Sequence, residues 1–231
     1  MANSEQLDLL KHRRASWRQW RVTHPDIQPD LSGADLNRIT LSRVNLNGVD
    51  LRNADLTRTT LNFTKLIEAN LSGAKLGFAN LTAAKLIRAN LSKAEIYSAY
   101  CSGTDFSGAN LSKCNLARAN LIASNLSKAD LSGADLSSAN LDGANLTGAN
   151  LSGTNLRKAY LVNTKLNNAN LTNCLIYGIA AWDVQLEGAK QQSLVITDYH
   201  TQPTISVDDL EVAQFIIFCS IIKNFVMFST P

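Results

Sequence analysis

Histidine is scarce in this 231-residue chain, and the three present, His12, His24 and His200, lie far apart and outside the repeated region. No glycine-rich loop precedes a lysine, and no His/Glu or Cys/His set has the spacing of metal ligands or of a nucleophile with its base. These absences lead us to expect no enzyme, no metal and no cofactor. Cysteine is also sparse, with four residues and no CxxC pair, which argues against a zinc site or a disulfide framework. Neither sign of charge dominates: Lys and Arg total 22 against 19 for Asp and Glu, a net of +3, so electrostatics alone point to no partner class. Long apolar runs are missing as well. The opening MANSEQLDLLKHRRASWRQWR has no stretch like a secretory signal, so a cytoplasmic protein with reduced thiols is expected. Phe215 to Phe228 is the most apolar segment, yet it is shorter than the ~20 residues a bilayer requires, so no membrane partner is expected.

What the chain has in abundance is a period of five. Leucine falls on every fifth position from Leu31 to Leu91, Ile96, Cys101 and Phe106 take the next three places, and leucine resumes from Leu111 to Leu171. Two positions before each leucine sits a small residue, usually alanine (Ala34, Ala54, Ala134), otherwise Thr59, Cys114, Ser124 or Thr154. The residue between is mostly Asn or Asp, and the two after are mostly Ser, Thr, Gly or charged. Five matches neither the helical period nor simple strand alternation. Within a unit, however, the small residue and the leucine are two apart and point to one side, while the other three must reach water. A chain built this way turns through a constant angle per unit and winds into a solenoid whose coils stack at the ~4.8 Å spacing of hydrogen-bonded strands. By this register Cys101, Cys114 and Cys174 point inward as small apolar residues. Asparagines before leucine form stacked ladders or turn contacts.

The repeated A(D/N)LXX unit resembles the pentapeptide repeat family over residues 30–190. The resemblance implies an all-β solenoid, a right-handed quadrilateral parallel β-helix with four units to each turn of about 20 residues. Residues 1–29 are then an N-terminal helix and linker that caps the first coil, and 191–231 a C-terminal capping segment with an apolar helix. Residues 4–22 have helical spacing, with Leu7, Leu10, Trp17 and Trp20 on one side and Lys11, Arg13, Arg14, Arg18 and Arg21 on the other. Asn3 or Ser4 can cap its start and His24-Pro25 ends it. Besides covering open strand edges, such a basic helix could bind nucleic acid or a membrane surface. After Leu171 the motif degrades through Cys174, Ile176, Tyr177, Ile179, Ala181, Trp182 and Val184, as if the core widened, before Leu186 and Ala189 give one last unit. Asp208 or Asp209 can start a helix with Leu210, Ala213 and Ile217 on one face. The tail after it reads as a second cap, a docking segment or a weak membrane anchor.

Function is sought where the surface departs from its default of Ser, Thr, Gly and Asn. Residues 20 apart stack, so Lys65 lies below Lys85, Ile67 below Ile87 and Glu68 below Arg88, with Phe63 at the neighbouring corner. Exposed isoleucines side by side mark a contact surface, although isoleucine also favours strands and basic residues keep a rod soluble. Arg38, Arg58, Phe78 and Arg118 form a second candidate line, with Tyr97 and Tyr100 close by. The family resemblance implies a non-catalytic protein-protein interaction module with no small-molecule substrate. Some cyanobacterial members regulate heterocyst differentiation by acting on a transcription regulator and its inhibitory peptide. Other members imitate DNA and act on DNA gyrase, for which this chain lacks the acidic surface. Direct nucleic-acid binding by the arginine line would require a denser stripe.

Overall fold

Residues 2–12, 14–197 and 205–217 of the chain are described by a computed structural model. Asp30 bridges Asp50 in parallel, Asp35 bridges Asp55, and the pattern repeats at every fifth residue as far as Leu175 and Val195. Each bridge carries two backbone bonds: Leu31 N–H donates to Asp50 O at 2.8 Å, and Asp50 N–H to Pro29 O at 2.9 Å. A fixed offset of 20 residues with a turn every five makes a four-sided coil, as the period suggests.

Leucine side chains from Leu31 to Leu171 are fully buried, with Ile96, Cys101 and Phe106 in the same column. The alanines two positions before them are buried too. Where Thr or Cys replaces alanine, its side chain finds a carbonyl in the coil below: Thr59 Oγ1 donates to Leu36 O at 2.6 Å, Thr154 Oγ1 to Leu131 O at 2.8 Å and Cys114 Sγ to Leu91 O at 2.9 Å. That removes the penalty for a buried polar group. Burial pushes the Cys101, Cys114 and Cys174 thiols up to about 12, so they stay protonated and behave as small core residues. Cys219 and His200 lie outside the described residues.

Corners follow from one torsion. Ala34 N–H donates to Leu31 O at 3.1 Å across Ser32 and Gly33, and Gly33 has φ +66°. The same left-handed position recurs at the second residue after each buried residue, as in Arg38, Phe63, Lys93 and Asn163. Positive φ at the third residue of a four-residue turn favours Gly and Asn and strongly disfavours β-branched residues; the sequence places none there. Where Asn or Asp precedes a leucine it caps the same corner, since its Oδ1 accepts the N–H two residues on, as Asp55 does from Thr57 at 2.9 Å. Stacking adds a second bond: Asn155 Nδ2 donates to Asp135 Oδ1 at 2.9 Å and Asn150 Nδ2 to Asp130 Oδ1 at 3.0 Å. Both expected roles of the asparagines are therefore present.

The N-terminal segment forms α1 (Ser4–His12) and α2 (Arg14–Thr23). Asn3 Oδ1 accepts Gln6 N–H at 3.1 Å and so begins α1. Leu10 and Trp17 are buried in the leucine core. Within the stack, carbonyls such as Asp50 O and Arg52 O are bonded by the coil before; on the first coil Asp30 O accepts Asn3 N–H at 2.7 Å, Asn45 O the Trp17 indole at 3.1 Å and Asn47 O the Arg21 guanidinium at 2.8 Å. At the other end β1 (Leu194–Val195) pairs antiparallel with β2 (Ser206–Val207). Residues 210–217 are helical, with Asp209 Oδ1 accepting Val212 N–H and Leu210, Ala213 and Ile217 buried. After Leu171 the bulkier residues divide: Ile176 and Ile179 are buried in the leucine and alanine columns. Ala181 occupies a leucine place, and Trp182 is 58% exposed because the register makes it the first residue of a corner.

Ser124 breaks the pattern of satisfied hydroxyls, since its buried Oγ has no hydrogen-bond partner. Ser124→Ala should therefore raise equilibrium stability by about 1 kcal/mol, the low end of the cost of an unsatisfied buried group, measurable by denaturant unfolding. Acid acts in the opposite direction. The carboxyls of Asp30, Asp50 and Asp55 are held below the usual range, Asp30 by the Ser32 hydroxyl, Asp50 by the Arg52 guanidinium and Asp55 by the Thr57 hydroxyl. Their contribution is complete above the unfolded carboxylate pKa of about 3.9 and disappears as pH falls through the lower folded values. Tm should fall over that window, and less steeply in Asp55→Asn, whose amide oxygen can still accept the Thr57 N–H.

Candidate partner-binding surface

One side of the solenoid, with its two flanking corners, brings together Phe63, Lys65, Ile67, Lys85, Ile87 and Arg88. Lys65 and Lys85 are bridge partners on successive coils and both are exposed. Ile67 and Ile87 follow buried Leu66 and Leu86 as the first residues of their corners. They are half-buried rather than exposed, which corrects the expectation; each corner shields the one stacked about 4.8 Å away. Arg88 is not a free cation. Its Nη2 lies 2.7 Å from Glu68 Oε1, with both side chains more than 60% exposed, so the pair adds little stability but fixes where the guanidinium sits. Phe63 is 50% exposed, with the Arg43 guanidinium 5.4 Å from its ring centroid. Arg43 went unnoticed in the sequence, although its spacing of 20 from Phe63 is the signal that would have found it.

The second candidate line divides. Arg58 lies 5.4 Å over the Phe78 ring, and Phe78 meets Tyr97 edge-on with centroids 5.3 Å apart. With Arg38 and Asp55 they line a shallow cavity of about 320 Å³. Arg118 is not part of it, being two coils beyond Phe78 with Ser98 between. Tyr100 stands on the next side of the coil, where it bridges Asn80 and Asn120. Gly77 was also missed. It is buried, and a Cβ there would come 2.6 Å from Tyr97 Cζ; the ring from the coil above occupies the space a side chain would fill.

Among the described residues no His, Cys, Asp or Glu group could hold a metal ion, and no helix is long and apolar enough to cross a membrane.

A family model for pentapeptide repeats matches residues 30–62, 64–99, 99–137 and 139–175, in 8 copies. Among solved structures the chain is similar to HetL, a pentapeptide repeat protein involved in heterocyst differentiation regulation from the cyanobacterium Nostoc sp. strain PCC 7120: 30% identity over 74% of this chain and 93% of that one, TM-score 0.43. It is similar to a trypsin-treated form of QnrB1, a plasmid-mediated fluoroquinolone resistance protein, at 22% identity over 69% of this chain and 84% of that one, TM-score 0.61. A third is Rfr23, a pentapeptide repeat protein from the cyanobacterium Cyanothece, at 39% identity over 44% of this chain and 63% of that one, TM-score 0.33. No curated protein matches. The QnrB1 likeness concerns the fold alone, a right-handed quadrilateral β-helix.

Gly77 supplies the test of the aromatic cluster. Gly77→Ala should cost about 1 kcal/mol, the low end for overpacking, because the Tyr97 ring must leave Phe78. In a Tyr97→Ala background the same change should be nearly neutral, so a double-mutant cycle by denaturant unfolding reads the coupling directly.

Proposed function

The chain belongs to the pentapeptide repeat family, and from that premise we propose that it is a non-catalytic regulatory module that works by binding another protein. The reading rests on one observation: Phe63, Lys65, Ile67, Lys85, Ile87 and Arg88 replace the small polar residues on one side and its corners over two successive coils. Phe63 and Arg88 sit at left-handed corner positions, with φ +59° and +55°, where glycine would hold the turn at lower cost. Arg88 is held at its corner by Glu68, but the corner gives no reason for a half-exposed phenylalanine, and contact with a partner does. The Arg38, Arg58 and Phe78 cluster is a second, smaller candidate for the same role.

Residues 1–29 and 191–231 are proposed as caps of the solenoid between them. In support, α2 takes up the Asn45 and Asn47 carbonyls, and the β1–β2 pair turns the last edge antiparallel. The finer proposal is a cytoplasmic protein that modulates heterocyst differentiation in a filamentous cyanobacterium by binding a transcription regulator. HetL is a protein involved in regulating that process. QnrB1 is a fluoroquinolone resistance protein, and action on DNA gyrase as a DNA mimic is the competing reading; a net charge of +3 weighs against it.

The deciding experiment is a pull-down of the tagged full chain from a cyanobacterial lysate beside an Ile67→Ser, Ile87→Ser variant. Both isoleucines are half-buried at corners outside the leucine column, so folding should survive and can be checked by circular dichroism. A transcription regulator captured by the wild type and lost from the folded variant is the expected result. Capture unaffected by the substitutions would remove this surface from consideration, and recovery of DNA gyrase would favour the mimic.

A further inference from the structure

α2 does not lie flush against the solenoid. Between it and the first coil runs a groove of about 560 Å³, walled by Trp17, Arg18, Arg21 and Val22 on one side and by Arg43, Val44, Asn45 and Lys65 on the other. Its lining has a consistent chemistry. Arg18, Arg21, Arg43 and Lys65 bring positive charge, and among the described residues no carboxylate lines it. Trp17 and Val44 give an apolar floor, and Val22 is 68% exposed beside it.

Two groups here are polar and unspent. Arg21 Nη2 is fixed on Asn47 O at 2.8 Å, while its Nε is shielded from solvent and has no hydrogen-bond partner. Asn45 belongs to the open edge of the first coil. In later coils the N–H and the carbonyl at this position both bond the coil before, as in Asp50. On Asn45 the carbonyl accepts the Trp17 indole, whereas the N–H, directed the same way, has no acceptor. A backbone donor on a strand edge, an apolar floor and surrounding cations form one constellation.

We infer that this groove binds an acidic, extended peptide segment carrying an aliphatic side chain. The segment's carboxylates meet Arg18, Arg43 and Lys65, its aliphatic side chain lies between Trp17 and Val22, and a main-chain carbonyl accepts from Asn45 N–H. A nucleic-acid backbone fits less well, because it has phosphates for the arginines but no aliphatic group for the floor and no need of a strand edge. The inference does not depend on the Ile67 and Ile87 corner, to which the groove is linked through Lys65 and through Arg43, which lies over Phe63.

Fluorescence anisotropy on the full chain tests it, with a fluorescein-labelled peptide rich in Asp and Glu around a central leucine and its Asn/Gln counterpart as control. The acidic peptide should bind, the neutral one should bind at least about tenfold more weakly, and added salt should weaken the acidic complex. Arg18→Glu with Arg43→Glu should lower affinity about tenfold or more while leaving the fold intact, since neither side chain carries an ion pair among the described residues. Val22→Ser, at an exposed site, should weaken binding a few-fold. Affinity unchanged in the Ile67→Ser, Ile87→Ser variant would place the peptide in the groove and not on that corner. Three outcomes would overturn the inference: no binding of the acidic peptide, equal binding by the charge-reversed variant, or displacement of the peptide by duplex DNA at the same salt.

Discussion

The structure depends on a backbone ladder that joins each residue before a leucine to its equivalent 20 residues away. Because the offset never changes between Asp30 and Val195, a local choice at one position is seen by the same position in the coils on either side. Inward positions then hold few residue types: a buried leucine column, a small residue beside it, and Thr or Cys only where a carbonyl of the coil below can receive the side-chain hydrogen, as at Thr59 and Cys114. Phe106 in place of leucine occurs in the coil that also carries Cys101, a gain and a loss of volume in one layer of a close-packed interior. Unlike a globular core, this one has no long-range plan beyond its nearest neighbours.

Such a ladder pairs the strand-like backbone groups on each side of the coil except at its two ends. A buried or half-covered carbonyl without a donor costs free energy comparable to a lost hydrogen bond, and an open edge also invites another chain to pair. At the first coil, side chains substitute for the missing strand: the Trp17 indole, the Arg21 guanidinium and the Gln6 amide, whose oxygen accepts Asp30 N–H at 2.9 Å. Side chains reach some edge groups and not others. An incomplete solution of this kind leaves both a groove and an unused donor on Asn45, so the least repetitive part of the surface follows from the most repetitive part of the backbone.

Most of the fold was legible because the rules that build it are local. The five-residue period assigns burial from Leu31 to Leu171 and the inward cysteines, and capping chemistry narrows the helix starts to Asn3 or Ser4 and to Asp208 or Asp209. Reading broke down where exposure depends on the neighbouring coil. Ile67 and Ile87 look exposed by register, yet the stacked corners half-bury them. Trp182 looks like core by composition, yet its register turns it to solvent. The count by 20 also pairs Arg43 with Phe63 and Tyr97 with Gly77, but only geometry shows that the first pair stacks and that the second fills a gap. The groove could not be read at all, since it requires knowing how far α2 stands from the coil.

Corners carry most of the freedom that remains to selection in such a chain. The second residue after each leucine is left-handed whatever its identity, so the turn itself prefers Gly or Asn and tolerates Arg, Lys, Ser or Phe at a cost of about 1 kcal/mol. The coil from Leu31 to Asp50 has glycine at two of its corners and arginine at Arg38 and Arg43, and the next coil has Asn53, Arg58, Phe63 and Glu68. Later coils return to glycine at Gly133, Gly143, Gly148 and Gly153. Between them lies a coil with Lys113, Arg118 and Lys128 at three of its corners, so large and charged corner residues recur along the rod, and only Arg43 among them lines the groove beside α2. Winding treats all coils alike and does not decide which corners carry them, so the choice at each corner is free to follow what the surface meets there.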